Sequence, residues 1–176
     1  MIKRLPMLLL VFLLITLFTD SAWAQHEYVG VKSCKMCHKG EKKGMVYEIW
    51  EASKHAKATE APATKGEEKN PTCLKCHSTG FGEGGYDPEA EDSLKFAGVQ
   101  CEACHGPGKD YKKMSIMKDR EAALANGLII PTAETCVLCH NPSHHEDMEF
   151  DYETAWDQIK HELPKEEPEE EAMPEE

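Results

Sequence analysis

Within five residues the run Cys34-Lys35-Met36-Cys37-His38 sets two thiols and an imidazole side by side. The pattern returns at Cys73, Cys76 and His77, at Cys101, Cys104 and His105, and at Cys136, Cys139 and His140, so all eight cysteines are used. Two thiols separated by two residues reach one edge of a porphyrin and form thioethers with its two vinyl groups. The histidine that follows then lies beneath the iron, where it supplies the proximal nitrogen. Zinc ribbons also use Cys-x-x-Cys pairs, and eight cysteines in an exported chain could form disulfides. Neither explains the histidines. With nine histidines in 176 residues, a histidine after each pair by chance needs four events of about one in twenty each. The expectation is four covalent c-type haems, with His38, His77, His105 and His140 as proximal ligands.

Five further histidines, His26, His55, His144, His145 and His161, are enough to give every iron a second imidazole. Two imidazoles hold iron low-spin and at a lower potential than a His/Met pair. Supply alone does not assign them.

The elements that must position these groups read as helices joined by long loops, a mainly α domain whose core is formed by the haems themselves. Glu41 to Ala58 lacks proline and carries Met45, Val46, Ile49 and Trp50 at helical spacing, which predicts a helix with His55 near its C-terminal end. Glu60 to Pro71 reads as a polar loop. The glycines of Gly80-Phe81-Gly82-Glu83-Gly84-Gly85 predict a loop with positive φ and close backbone approach to a flat group. Gly106-Pro107-Gly108 must end any helix begun by the third motif. Lys118 to Asn126 and Asp151 to Glu162 predict two short helices, stopped at Gly127 and before Pro164. The first cysteines are 39, 28 and 35 residues apart, too irregular for a solenoid.

Residues 1–24 read as a signal peptide: Lys3 and Arg4 precede an apolar run from Leu5 to Phe18, and Ala22-Trp23-Ala24 offers a cleavage site. The run is short for a bilayer span. Cleavage leaves residues 25–163 as one tetrahaem domain, with no membrane span, followed by an acidic tail, 164–176, of seven Glu, one Lys and three Pro that reads as disordered. The net charge moves from −12 to −13 when Lys3, Arg4 and Asp20 leave, and the tail holds −6 of it. That balance argues against nucleic acid or an anionic membrane as partner and favours redox proteins with basic docking patches. Mean hydropathy is −0.56, so apolar side chains are sparse and about one haem per 38 residues must fill the interior.

Longer stretches resemble a known family, the tetrahaem cytochrome c-554 group of periplasmic and extracellular electron carriers. They include Tyr28-Val29-Gly30, Ser53-Lys54-His55-Ala56, Cys76-His77-Ser78-Thr79-Gly80-Phe81-Gly82 and Gly84-Gly85-Tyr86. They continue through Gly98-Val99-Gln100-Cys101-Glu102-Ala103-Cys104-His105-Gly106-Pro107-Gly108 and Glu134-Thr135-Cys136, then Phe150-Asp151 and Ile159-Lys160-His161. The resemblance implies His55 as distal ligand of the fourth haem and His161 of the third. It also implies a second haem that can be five-coordinate, and a histidine for the first haem shortly after Gly-Pro-Gly. This chain has no histidine from Lys109 to Met117. His144 or His145 could substitute, with Met114, Met117 and His26 as weaker options.

The function expected is electron transfer between redox partners in the periplasm or outside the cell. Two alternatives stay open: an enzyme that binds nitric oxide, hydroxylamine or a similar small species at an open iron, and a self-associating subunit of an extracellular haem filament. A membrane-anchored quinol oxidase would require an uncleaved leader.

Overall fold

A computed structural model describes residues 26–143, 145 and 149–164. The predicted leader, His144 and the acidic tail beyond Pro164 lie outside the described residues. Among those described, the chain forms helices and turns with no strand, only an isolated bridge between Ser78 and Ala97.

The helices are short. They are α1 (Val31–His38), α2 (Val46–Ala52), α3 (Glu60–Ala63), α4 (Pro71–His77), α5 (Cys101–His105), α6 (Met114–Met117), α7 (Arg120–Ala125), α8 (Ala133–Val137) and α9 (Tyr152–Ile159), with 3-10 turns at Glu41–Lys43, His55–Lys57 and Ser93–Phe96. The first three haem motifs end α1, α4 and α5; the fourth begins in α8 and ends in the turn beyond it. Helix α4 starts where sequence chemistry puts it, with the Asn70 side chain accepting the Thr72 N–H and Pro71 in the first turn. Asp119 and Asp151 cap α7 and α9 in the same way.

The helix predicted over Glu41–Ala58 is broken into three pieces. Gly44 (φ 69°) and Met45 (φ 54°) are both left-handed, and a Cβ at Gly44 would stand 2.1 Å from the Glu162 carbonyl oxygen. A crossing segment therefore sets the break, and helical spacing cannot register it. At the other end Ser53 turns extended and its hydroxyl donates to the Trp50 carbonyl. The predicted loop over Glu60–Pro71 contains α3, and α9 stops at Ile159, leaving His161 outside the helix. Gly127, at φ 95°, ends the segment after α7 as expected.

Few apolar side chains are buried. Among the described residues they are Tyr47, Leu74, Phe96, Tyr111 and Ala123, too small a set to carry a domain of this length. Polar groups fill the rest. Thr79, fully buried, donates to the Gly98 carbonyl and accepts the Gln100 N–H. The Gln100 side chain accepts from Val31 N–H and donates to the carbonyls of Lys95 and Ala97. No buried side-chain polar atom among the described residues lacks a partner, as a low-dielectric interior requires.

Candidate haem-binding site

Glu102, between the cysteines of the third motif, is 2% exposed. Its carboxylate accepts N–H groups from Val29 (2.9 Å), Gly30 (2.7 Å) and Gly108 (2.6 Å). One charge thus ties the segment ahead of α1 to the Gly-Pro-Gly loop behind α5, and α1 packs against both α5 and α2. Charge-assisted bonds of this kind are short and strong. The sequence reading missed Glu102 because the two positions inside a haem motif are free of the haem chemistry. Its signal was a carboxylate set between two segments rich in glycine, which offer unhindered backbone donors.

The cysteines meet across motifs in a fixed series. The neighbouring Cys101, together with burial, raises the Cys34 thiol. Cys104 is raised to about 11 by burial and then by the nearby Cys136. Cys139 is raised to about 12 by burial and then by the neighbouring Cys76. The cysteine neighbours thus link the first motif to the third, the third to the fourth and the fourth to the second.

Three pairs of imidazoles face each other. His55 lies 5.8 Å from His140, His77 lies 6.1 Å from His145 and His105 lies 6.0 Å from His161, centroid to centroid. Each pair joins a motif histidine to one outside the motifs. A metal–imidazole bond is about 2 Å, so two imidazoles on opposite sides of one iron have centroids roughly 6 Å apart. Second bonds orient the rings. The Nδ1 of His77 is 2.8 Å from the Ala58 carbonyl, that of His105 is 3.0 Å from Ile129 and that of His161 is 3.0 Å from Ile159. An Nδ1–H donated to a carbonyl leaves Nε2 as the free ligand. Burial lowers His38, His55, His105 and His140 below the usual imidazole value, favouring the neutral form that binds metal.

His55 is placed by the 3-10 turn after α2. Its carbonyl accepts Val99 N–H (2.8 Å), while Trp50 Nε1–H donates to the Val99 carbonyl (2.8 Å). Gly98 (φ 76°) permits this crossing, since a Cβ there would be 2.5 Å from the Ala56 carbonyl oxygen. The glycine loop has the positive φ expected at Gly80, Gly82 and Gly84, and the flat group that Gly80 admits is Tyr28, whose ring carbons would be 2.6 Å from a Cβ.

Among the described residues His38 has no imidazole facing it at this spacing. His105 and His161 lie near enough to influence it electrostatically. After Gly-Pro-Gly the buried residue is Tyr111, which donates its hydroxyl to the Gly106 carbonyl at 2.7 Å. His26 is engaged elsewhere, Nδ1 2.6 Å from Asp110. Met114 is 62% exposed. No group of three or more His, Cys, Asp or Glu is arranged to hold a metal ion among the described residues.

The residues fit bound haems on independent grounds: three imidazole pairs at the separation that one iron spans, ring nitrogens oriented by carbonyls, and an apolar interior too small without added flat groups. Comparison with known proteins agrees. The family model for cytochrome c554 and c-prime matches residues 33–106, which hold the first three motifs. Cytochrome c-554 of Nitrosomonas europaea is 34% identical over 148 residues, covering 69% of this chain and 60% of that protein. The chain thus spans about three-fifths of the length of the curated relative it matches. The solved structure of reduced cytochrome c554 from Nitrosomonas europaea shares the fold at a TM-score of 0.58 and 23% identity, over 77% of this chain and 84% of that one.

Proposed function

The chain belongs to the cytochrome c-554 family of tetrahaem c-type cytochromes, and from that premise we propose that it relays electrons between redox partner proteins outside the cytoplasm. Each bound haem supplies one-electron exchange between ferric and ferrous iron. The chain's own part is to hold four such groups in a fixed series, with Cys34, Cys37, Cys73, Cys76, Cys101, Cys104, Cys136 and Cys139 as attachment points and the four motif histidines as proximal ligands. In this reading His55, His161 and His145 are the distal ligands of the fourth, third and second haems. The observation that carries it is the set of three imidazole pairs at 5.8 to 6.1 Å.

Family membership and the leader-like residues 1–24 support export to the periplasm, and no helix among the described residues is long and apolar enough to cross a membrane. N-terminal sequencing of the mature protein tests the leader, with Gln25 the expected first residue. EPR of the oxidised protein, with carbon monoxide added to the reduced form, tests the relay. At least three low-spin signals are expected. Two or more high-spin signals would remove the distal assignments.

A second reading is favoured by one observation, the absence of an imidazole opposite His38 among the described residues. There the first iron would be open to a small ligand such as nitric oxide, and the protein would act on it with electrons drawn from the other three. Carbon monoxide binding confined to one haem supports this reading; no response sinks it.

A further inference from the structure

A protein of net charge −12 carries a concentrated basic segment: Lys32, Lys35, Lys39, Lys42 and Lys43 stand within twelve residues around the first haem motif, with Glu41 the sole acid among them. Lys32, Lys39, Lys42 and Lys43 are exposed. Among the described residues none of the five is ion-paired, the pairs present being His26–Asp110, Lys69–Glu89, Lys109–Glu27 and Lys160–Asp157. Lys35 lies 4.2 Å from the Tyr47 ring centroid. The nearby carboxylates are already engaged, Glu48 accepting Gly40 N–H and Glu51 the Tyr47 hydroxyl.

The path of the chain brings the opposite charge to this place. Glu162 and Pro164 pass directly against Gly44, where a Cβ would meet the Glu162 carbonyl oxygen at 2.1 Å and Pro164 Cδ at 3.4 Å. The twelve residues that follow, 165–176, hold seven glutamates and one lysine. They leave the described structure one residue from Lys43. Twelve residues taken as a random coil would have a root-mean-square reach of roughly 20 Å. Tethering sets a local concentration in the millimolar range.

We propose that the segment 165–176 docks on the lysines flanking the first haem motif of its own chain and covers the basic end of the molecule. The pairing rests on charge and chain path, independent of what the haems do. Its consequence is that an acidic partner approaching this end must displace the segment, while basic partners meet an unobstructed acidic surface elsewhere. Surface charge pairing of this kind is screened within about 10 Å at 0.1 M salt, so the docked state belongs to low ionic strength.

The test uses the holoprotein. Zero-length carbodiimide cross-linking at low salt, read by peptide mapping, is expected to join Glu166–Glu171 to Lys39, Lys42 or Lys43 within one molecule, and to fail at high salt. Acetylation of the same lysines is expected to run about threefold faster in a form ending at Pro164, as for a tethered site roughly two-thirds occupied, with Lys75 and Lys118 unchanged. Cross-links between molecules would make a second copy the occupant and overturn the proposal. So would cross-links to other lysines, or equal acetylation in both forms.

Discussion

At the level of single residues the site divides into groups that bind and groups that aim. His55 is a binder in our reading and forms no covalent bond to haem. His55→Ala is therefore expected to turn one haem high-spin in the EPR spectrum while the mass of the protein still includes four haems; loss of a haem would contradict the assignment. His145→Ala should do the same to the second haem, and an unchanged spectrum there would return His77 to the five-coordinate state that family resemblance implies. Glu102 aims and binds nothing. Its carboxylate accepts three backbone N–H groups from two segments at 2.6 to 2.9 Å, and Glu102→Gln would turn an amide N–H₂ toward N–H donors. A loss of about 2 to 4 kcal/mol is expected from breaking buried charge-assisted bonds, measurable as a lower thermal midpoint in circular dichroism with haem spectra unaltered at room temperature.

Among the elements, glycines fix where segments cross. Gly98→Ala meets two penalties, positive φ (76°) and a Cβ 2.5 Å from the Ala56 carbonyl oxygen, whereas Gly82→Ala meets only positive φ (78°) with open space around it. Gly82→Ala should cost about 1 kcal/mol. Gly98→Ala should cost clearly more and loosen His55 as well, so thermal midpoints of the two variants separate backbone strain from steric conflict. These crossings mark the limit of what local sequence conveys. The haem motifs, the stop at Gly106, the stop at Gly127 and the helix from Asp151 were legible because each is written in adjacent residues, whereas the start of α7, at Arg120 behind the Asp119 cap, fell two residues after the expected Lys118. The division of Glu41–Ala58 into three pieces was not, since Glu162, more than a hundred residues away, presses on Gly44. For the same reason supply could not say which histidine His145 would face; its ring lies 6.1 Å from that of His77, while His144 lies outside the described residues.

For the molecule as a whole, the small apolar interior makes the protein dependent on its haems. Five buried apolar side chains among the described residues cannot offset the conformational entropy of ordering a chain this long. Protein made without haem attachment is expected to give the circular dichroism of a largely unfolded chain with no cooperative thermal transition, as small metal domains do without their metal. A folded apoprotein would show that the polar network of Thr79, Gln100 and Glu102 suffices.

The order in which the cysteines meet, Cys34 with Cys101, Cys104 with Cys136, and Cys139 with Cys76, differs from their order along the chain. Read from its N-terminus, the chain reaches its second motif long before the motif that neighbours it, the fourth. A chain cut short of its last motif would not be a shorter conductor. If the proposed relay holds, such a chain would keep one connected pair and one stranded centre, and passage from end to end would require the last cysteine pair.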